Sequence, residues 1–153
     1  MLTILAEYAE RLQFLHAAIE QIINGLPQAA LDWTPGPEMN SIHVLAVHVA
    51  GSERYWIGDV AGNDPSDRDR DAEFRSGGLD THALIDLLDR TLAHSRAVLE
   101  GLELADLEEL RVSPRNGRQA TIAWCLAHAL EHTALHLGHM EITKQLWEQN
   151  PLS

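Results

Sequence analysis

Four stretches of the chain repeat apolar residues at steps of three and four, the spacing of one buried helix face. In the first, Leu2, Leu5, Tyr8, Leu12, Leu15, Ile19, Ile22 and Ile23 fall in register, predicting a helix that Thr3 caps and that Gly25 and Pro27 end. Residues 25–40 carry three prolines and two glycines. They read as a loop with a short helical turn at 28–31 and Trp33 as a plug over the core. Asn40 or Ser41 then caps a second helix over 41–61, with Ile42, Leu45, His48, Val49, Ser52, Tyr55 and Trp56 on or near its inner face. A third helix starts at Asp80 or Thr81 and runs to about Gly101, burying Leu84, Leu87, Leu88, Thr91, Leu92, Ser95, Val98 and Leu99. The fourth spans Thr121 to Trp147.

The connections decide how these helices stack. Residues 62–79 are charged and glycine-rich, and 18 residues is far more than an antiparallel hairpin needs. A helix of ~20 residues is about 30 Å long, and an extended stretch of this length reaches nearly twice that. The stretch therefore predicts a crossover that leaves the second and third helices parallel. Its Asp-Arg-Asp-Arg-Asp run, residues 67–71, reads as a solvated loop. The connection 102–120 is acidic early, with Pro114, Gly117 and the arginines 111, 115 and 118 late, and shows no period-two strand pattern. Four amphipathic helices around one core predict an all-α four-helix bundle, one domain over residues 1–153, with a long crossover between the second and third helices.

Composition narrows the partners. The net charge is −12 and no lysine or arginine cluster makes a basic face, which argues against nucleic acid and against anionic membrane. No apolar run is long enough to span a bilayer, and Glu7 and Glu10 interrupt the N-terminus where a signal peptide would continue its apolar stretch. The single cysteine, Cys125, excludes an internal disulfide and is consistent with a reducing cytoplasm. Against this background, nine histidines beside eleven lysines and arginines are the unusual feature.

Four of the nine, His128, His132, His136 and His139, lie in the fourth helix. At about 100° per residue, their steps of four, four and three place all four rings within a sector of roughly 80°. Burying several imidazoles on one apolar stripe is costly unless each finds a partner, and a divalent metal satisfies two at once. A histidine pair one turn apart aims two rings at one point; spacing alone leaves open whether the pair is His128/His132 or His132/His136. A third ligand has to come from an inward position on a neighbouring helix, and His48 is the candidate. Three imidazoles leave a coordination position free, as catalytic sites do. His16, His43, His82 and His94 read as hydrogen-bonded core or surface residues, and Cys125 as a small buried apolar group. Glu53, about 140° round its helix from His48, and Glu131 read as surface or dimer residues. Trp56 and Trp124 read as core, and Tyr55 as core or the pocket mouth. Arg115 and Arg118 read as solvated unless an acidic substrate or thiol recruits one of them.

The segments Asn-Ser-Ile-His at 40–43 running on to His48, Leu-Asp-Trp-Thr-Pro at 31–35, and His-x-x-x-His-x-Gly at 132–138 resemble the DinB/YfiT-like family of metal-dependent enzymes. The resemblance implies a four-helix bundle with a crossover, a homodimer, and a zinc or nickel ion on His48, His132 and His136. His128 and His139 are then candidates for orienting a ligand ring. The relatives it evokes are thiol-dependent S-transferases and isomerases, so it implies a small-molecule substrate and a low-molecular-weight thiol cofactor, activated as a thiolate on the metal; a water in the same position would serve hydrolysis. The alternatives are a non-catalytic metal-binding or stress-response bundle, and a bundle with bis-histidine haem ligation, against which three converging histidines argue.

Overall fold

Burial of the four apolar stripes sets the architecture. The structure, a computed structural model, describes residues 1–149. Helix α1 spans Thr3–Ile23, α2 is the single turn Gln28–Leu31, and α3 is Ile42–Glu53, continued by a π-helical segment Arg54–Ala61. A second single turn, α4, is Arg70–Glu73; α5 spans Thr81–Glu100 and α6 Ile122–Glu148. Side-chain caps start three of the long helices. Ser41 accepts from Val44 N, Asp80 from Ala83 N and Thr121 from Trp124 N, satisfying amides that have no partner within the helix. Thr3 does not cap: it is the first helical residue, preceded by Leu2 without a side-chain cap.

The buried side chains fall into two apolar layers. One joins Leu5, Ala9 and Leu12 from the start of α1 to Ile57 and Val60 of the π-helical segment, Leu99 at the end of α5, and Ile122 and Leu126 at the start of α6. The other joins Ile19 and Ile23 to Ile42, Leu45 and Val49, to Leu84 and Leu88, and to Met140. Helices α1 and α6 therefore run one way and α3 and α5 the other. The second and third long helices are parallel, as the loop length predicts, and the connection 62–80 has to travel back along the bundle. Helices α5 and α6 each pack on both α1 and α3, which stand diagonally.

Between the two layers lies a level of buried polar side chains: His16, His48, Ser52, Glu53, Thr91, Ser95 and Thr133. One departure from expectation concerns the connections. A small antiparallel hairpin, β1 Leu110–Val112 with β2 Gln119–Thr121, pairs Arg111 with Ala120 just before α6. Three-residue strands are too short to show an alternating pattern. The apolar residues around the fourth-helix histidines are also not all inward, since Leu135 and Leu146 are exposed. No helix is long and apolar enough to cross a membrane among the described residues.

Candidate metal centre

Because α3 and α6 run antiparallel, the polar level of one faces that of the other. His48, 4% exposed, points its Nε2 at Nε2 of His132, 3.1 Å away. His136, one turn further along α6, closes the group: one nitrogen from each of His48, His132 and His136 lies within 4.8 Å of the other two. Helical spacing left two pairs open on α6, and the structure brings the second of them to His48. His139 is exposed and sets its Nδ1 3.2 Å from Nδ1 of His136. His128, one turn before His132, stays outside this group, stacked on Trp124 at 4.8 Å between ring centroids.

The crossover supplies what the charged run did not predict. Far from being merely solvated, it delivers Arg68, whose side chain is 7% exposed, and Glu73, 8% exposed. Arg68 grips the carboxylate with Nε at 2.5 Å from Oε1 and Nη2 at 2.7 Å from Oε2. Glu73 Oε2 in turn accepts from Nδ1 of His48 at 2.8 Å. Burial pushes the Glu73 carboxyl up, but hydrogen bonds from Arg68 and His48 outweigh it and hold the group below its ordinary value. A carboxylate on Nδ1 fixes the tautomer and leaves the Nε2 lone pair free, the usual support of a metal-bound histidine. The only sequence hint was Phe74, the one aromatic in a charged stretch, which packs 4.7 Å from the His48 ring.

Gly51 makes room for this contact. A Cβ there would overlap Oε1 of Glu73, which Arg68 and His48 pin in place. Gly51→Ala and Glu73→Ala should each weaken zinc binding by about 10–100-fold without unfolding the protein. Competition against a chromophoric chelator measures this, and unchanged affinity in both variants would remove Glu73 from the centre.

The three rings suit a divalent cation. Burial first, then the crowding rings of His136 and His48, brings His132 down to about 3. Burial and His48 bring His136 to about 4. Both therefore stay neutral at any ordinary pH, the state a metal requires. Nδ1 of His132 is buried without a hydrogen-bond partner among the described residues. Nitrogens around a tetrahedral zinc at 2.0–2.1 Å are roughly 3.4 Å apart; the His48–His132 pair is near that at 3.1 Å, and His136 lies within 4.8 Å of both.

The same depression has a consequence for stability. Unfolded, both rings titrate near 6.5. Between that value and about 3–4 the unfolded chain binds more protons, so this contribution is fully present above pH ~6.5 and is lost as pH falls toward the folded values. Thermal melts of metal-free protein should show a steeper fall across that window than melts of the His132→Ala/His136→Ala variant. Parallel profiles would contradict the neutral-ring assignment.

A cleft of about 170 Å³ opens beside His48 and His132, bordered by Tyr55, Arg68, Arg115 and His128. Tyr55 is buried, and its hydroxyl lies 2.6 Å from Ser113 Oγ and accepts from the Arg115 amide at 3.2 Å. It sits in the π-helical segment, an element that recurs at functional sites. His128 has its protonation pushed down by burial. Cys125 is fully buried, its thiol raised to about 11 by burial, and stands outside the histidine group. Glu131 is exposed as expected. Glu53 is not a surface residue: at 1% exposure it lies 2.6 Å from Nε2 of His16 and accepts from Ser95 Oγ at 2.7 Å. Of the other histidines, His94 bonds Asp64 at 2.8 Å and His82 is exposed on the first turn of α5. His43 departs from the hydrogen-bonded reading: it is buried 3.3 Å from Asp32 Oδ1 with neither ring nitrogen in a hydrogen bond among the described residues.

Residues 11–140 match the model of the DinB superfamily. The chain belongs to that superfamily. Solved structures share its fold at low identity. A conserved protein from Enterococcus faecalis is 15% identical with a TM-score of 0.82, over 98% of this chain and 100% of the other. YfiT from Bacillus subtilis, described as a probable metal-dependent hydrolase with an unusual four-helix bundle topology, is 15% identical with a TM-score of 0.77, over 95% and 89%. A mycothiol-dependent maleylpyruvate isomerase is 15% identical with a TM-score of 0.65, over 87% of this chain but 59% of its own. No curated protein sequence matches the chain significantly. The parallel second and third helices of this DinB superfamily member place the crossover over α3, so its topology and its histidine group are parts of one arrangement.

Proposed function

We propose that this DinB superfamily protein is a metal-dependent enzyme in which His48, His132 and His136 hold a zinc or nickel ion and activate a thiol or a water against a small substrate. The observation that carries the reading is the convergence of these imidazoles, two of them held neutral by burial, at the wall of a cleft. Held by these three rings, a divalent cation would supply Lewis-acid chemistry to a thiol or water.

The protein's own groups do the rest. Glu73 and Arg68 hold the His48 ring so that its Nε2 faces the centre. Ser113 and the Arg115 amide fix the Tyr55 hydroxyl, which keeps that wall of the cleft in place. His128 borders the same cleft, where burial pushes its protonation down, and a neutral ring nitrogen there would be available to accept a proton from the thiol or water. YfiT's description supports the hydrolytic form of the reaction, and the thiol dependence of the isomerase supports the S-transferase form. The reading includes a cytoplasmic homodimer, for which the outward Leu135, Ile142 and Leu146 of α6 offer an apolar surface.

The test assays metal-loaded protein on activated esters without thiol, and on an aryl halide with a low-molecular-weight thiol. Turnover in one assay that disappears in His132→Ala supports the reading and picks the nucleophile. Equal rates in the wild type and that variant would refute it.

A further inference from the structure

The cleft beside His48 and His132 is rich in positive charge within a chain of net charge −12. Arg68, Arg70 and Arg115 line it, and Arg118 lies 4.0 Å over the ring of Trp124, the residue on which His128 stacks. Arg68 is neutralised by Glu73. Arg70 and Arg115 form no ion pair among the described residues, although the chain has 23 acidic residues. Asp69 and Asp71 border the adjoining hollow with these arginines, but Asp69 spends Oδ1 on the Ala72 amide and neither carboxylate pairs with Arg70 or Arg115. Neither arginine is neutralised: the Arg70 side chain is anchored, and the Arg115 backbone is fixed with its side chain exposed. The Arg70 guanidinium sits 4.6 Å over the Phe74 ring, and the Arg115 backbone is tied to the Tyr55 hydroxyl at 3.2 Å.

A guanidinium presents a planar fork of donors that matches a carboxylate or phosphoryl group in two parallel hydrogen bonds. Two such forks, free of ion pairs among the described residues at the mouth of a cleft of about 170 Å³, suit a small anion and leave no room for a polymer. We propose that Arg70 and Arg115 form an oxyanion subsite that takes the carboxylate or phosphoryl group of a small substrate and directs the rest of the molecule toward His48 and His132. The assignment rests on the metal-enzyme reading for the reaction that follows, and on the arginines alone for the binding.

The experiment titrates metal-free protein at low ionic strength, where exposed charges are least screened, with succinate and separately with inorganic phosphate. The ring resonances of His128 and His132 report from within the cleft. A saturable shift is expected, weakened about tenfold or more in Arg70→Gln/Arg115→Gln. It stays unchanged in Arg11→Gln/Arg96→Gln, which removes the same charge from elsewhere on the surface. Tighter binding of one ligand identifies the substrate anion as a carboxylate or a phosphoryl group. No saturable shift in the wild type, or equal affinity in the two double variants, overturns the subsite. Metal content is measured on separate samples with and without His132→Ala, so a failed metal centre and a failed anion subsite give different results.

Discussion

Replacing Glu53 by alanine lowers stability by about 3–5 kcal/mol, a drop in Tm on the order of 10 °C for a chain of this size. The effect comes from the polar level between the apolar layers. Glu53, His16 and Ser95 are all essentially inaccessible, and the carboxylate takes both neighbours, His16 Nε2 at 2.6 Å and Ser95 Oγ at 2.7 Å. Nδ1 of His16 already lacks a hydrogen-bond partner among the described residues. Without Glu53, both His16 nitrogens and the Ser95 hydroxyl are stranded where no water can reach them, and a stranded polar group costs more than its bond contributed. The Tyr8 phenol, pushed up by burial and then by the Glu53 charge, would lose the second of these influences. Replacing both partners, as in Glu53→Leu/His16→Leu, should recover much of the loss, because two apolar groups leave no charge behind. Urea unfolding of metal-free protein measures both variants. A loss below about 1 kcal/mol in Glu53→Ala would reduce the pair to the rank of a surface ion pair.

The second large effect is on metal. Removing His132 should weaken zinc binding well beyond the roughly 10–100-fold expected for a supporting carboxylate such as Glu73, because a coordinating nitrogen is lost. His128→Ala and His139→Ala should keep the metal. The first ring is occupied with Trp124 and faces the cleft; the second is exposed and meets only Nδ1 of His136. Metal lost as completely from His128→Ala as from His132→Ala would mean a different ligand set.

These outcomes depend on contacts that the sequence shows unequally. The helix positions, the short turn at 28–31 and the crossover follow from local signals: apolar periodicity, prolines and glycines, and a connection too long for a hairpin. The histidine sector is equally local, since one helix places four rings together. Choosing among them took the antiparallel approach of α3, which is not local. Glu73 and Arg68 were hidden for the same reason. A hydrogen bond between Glu73 and His48, 25 positions apart, leaves no periodic trace, and a run of alternating charges looks like any solvated loop. Glu53 escapes a reading by periodicity because α3 has more than one inner face. Helices α5 and α6 both pack against it and the crossover covers it, so Ile42–Ala46, His48–Ala50, Ser52 and Glu53 are all buried; an angle of 140° from His48 then means another buried side.

The most direct test is elemental analysis of the untagged protein beside His48→Ala. The account predicts about one zinc or nickel per chain in the wild type and its loss in the variant, with the helical content of both unchanged. A wild type that takes up no metal after reconstitution, or a His48→Ala protein that keeps its full complement, would contradict the three-histidine centre.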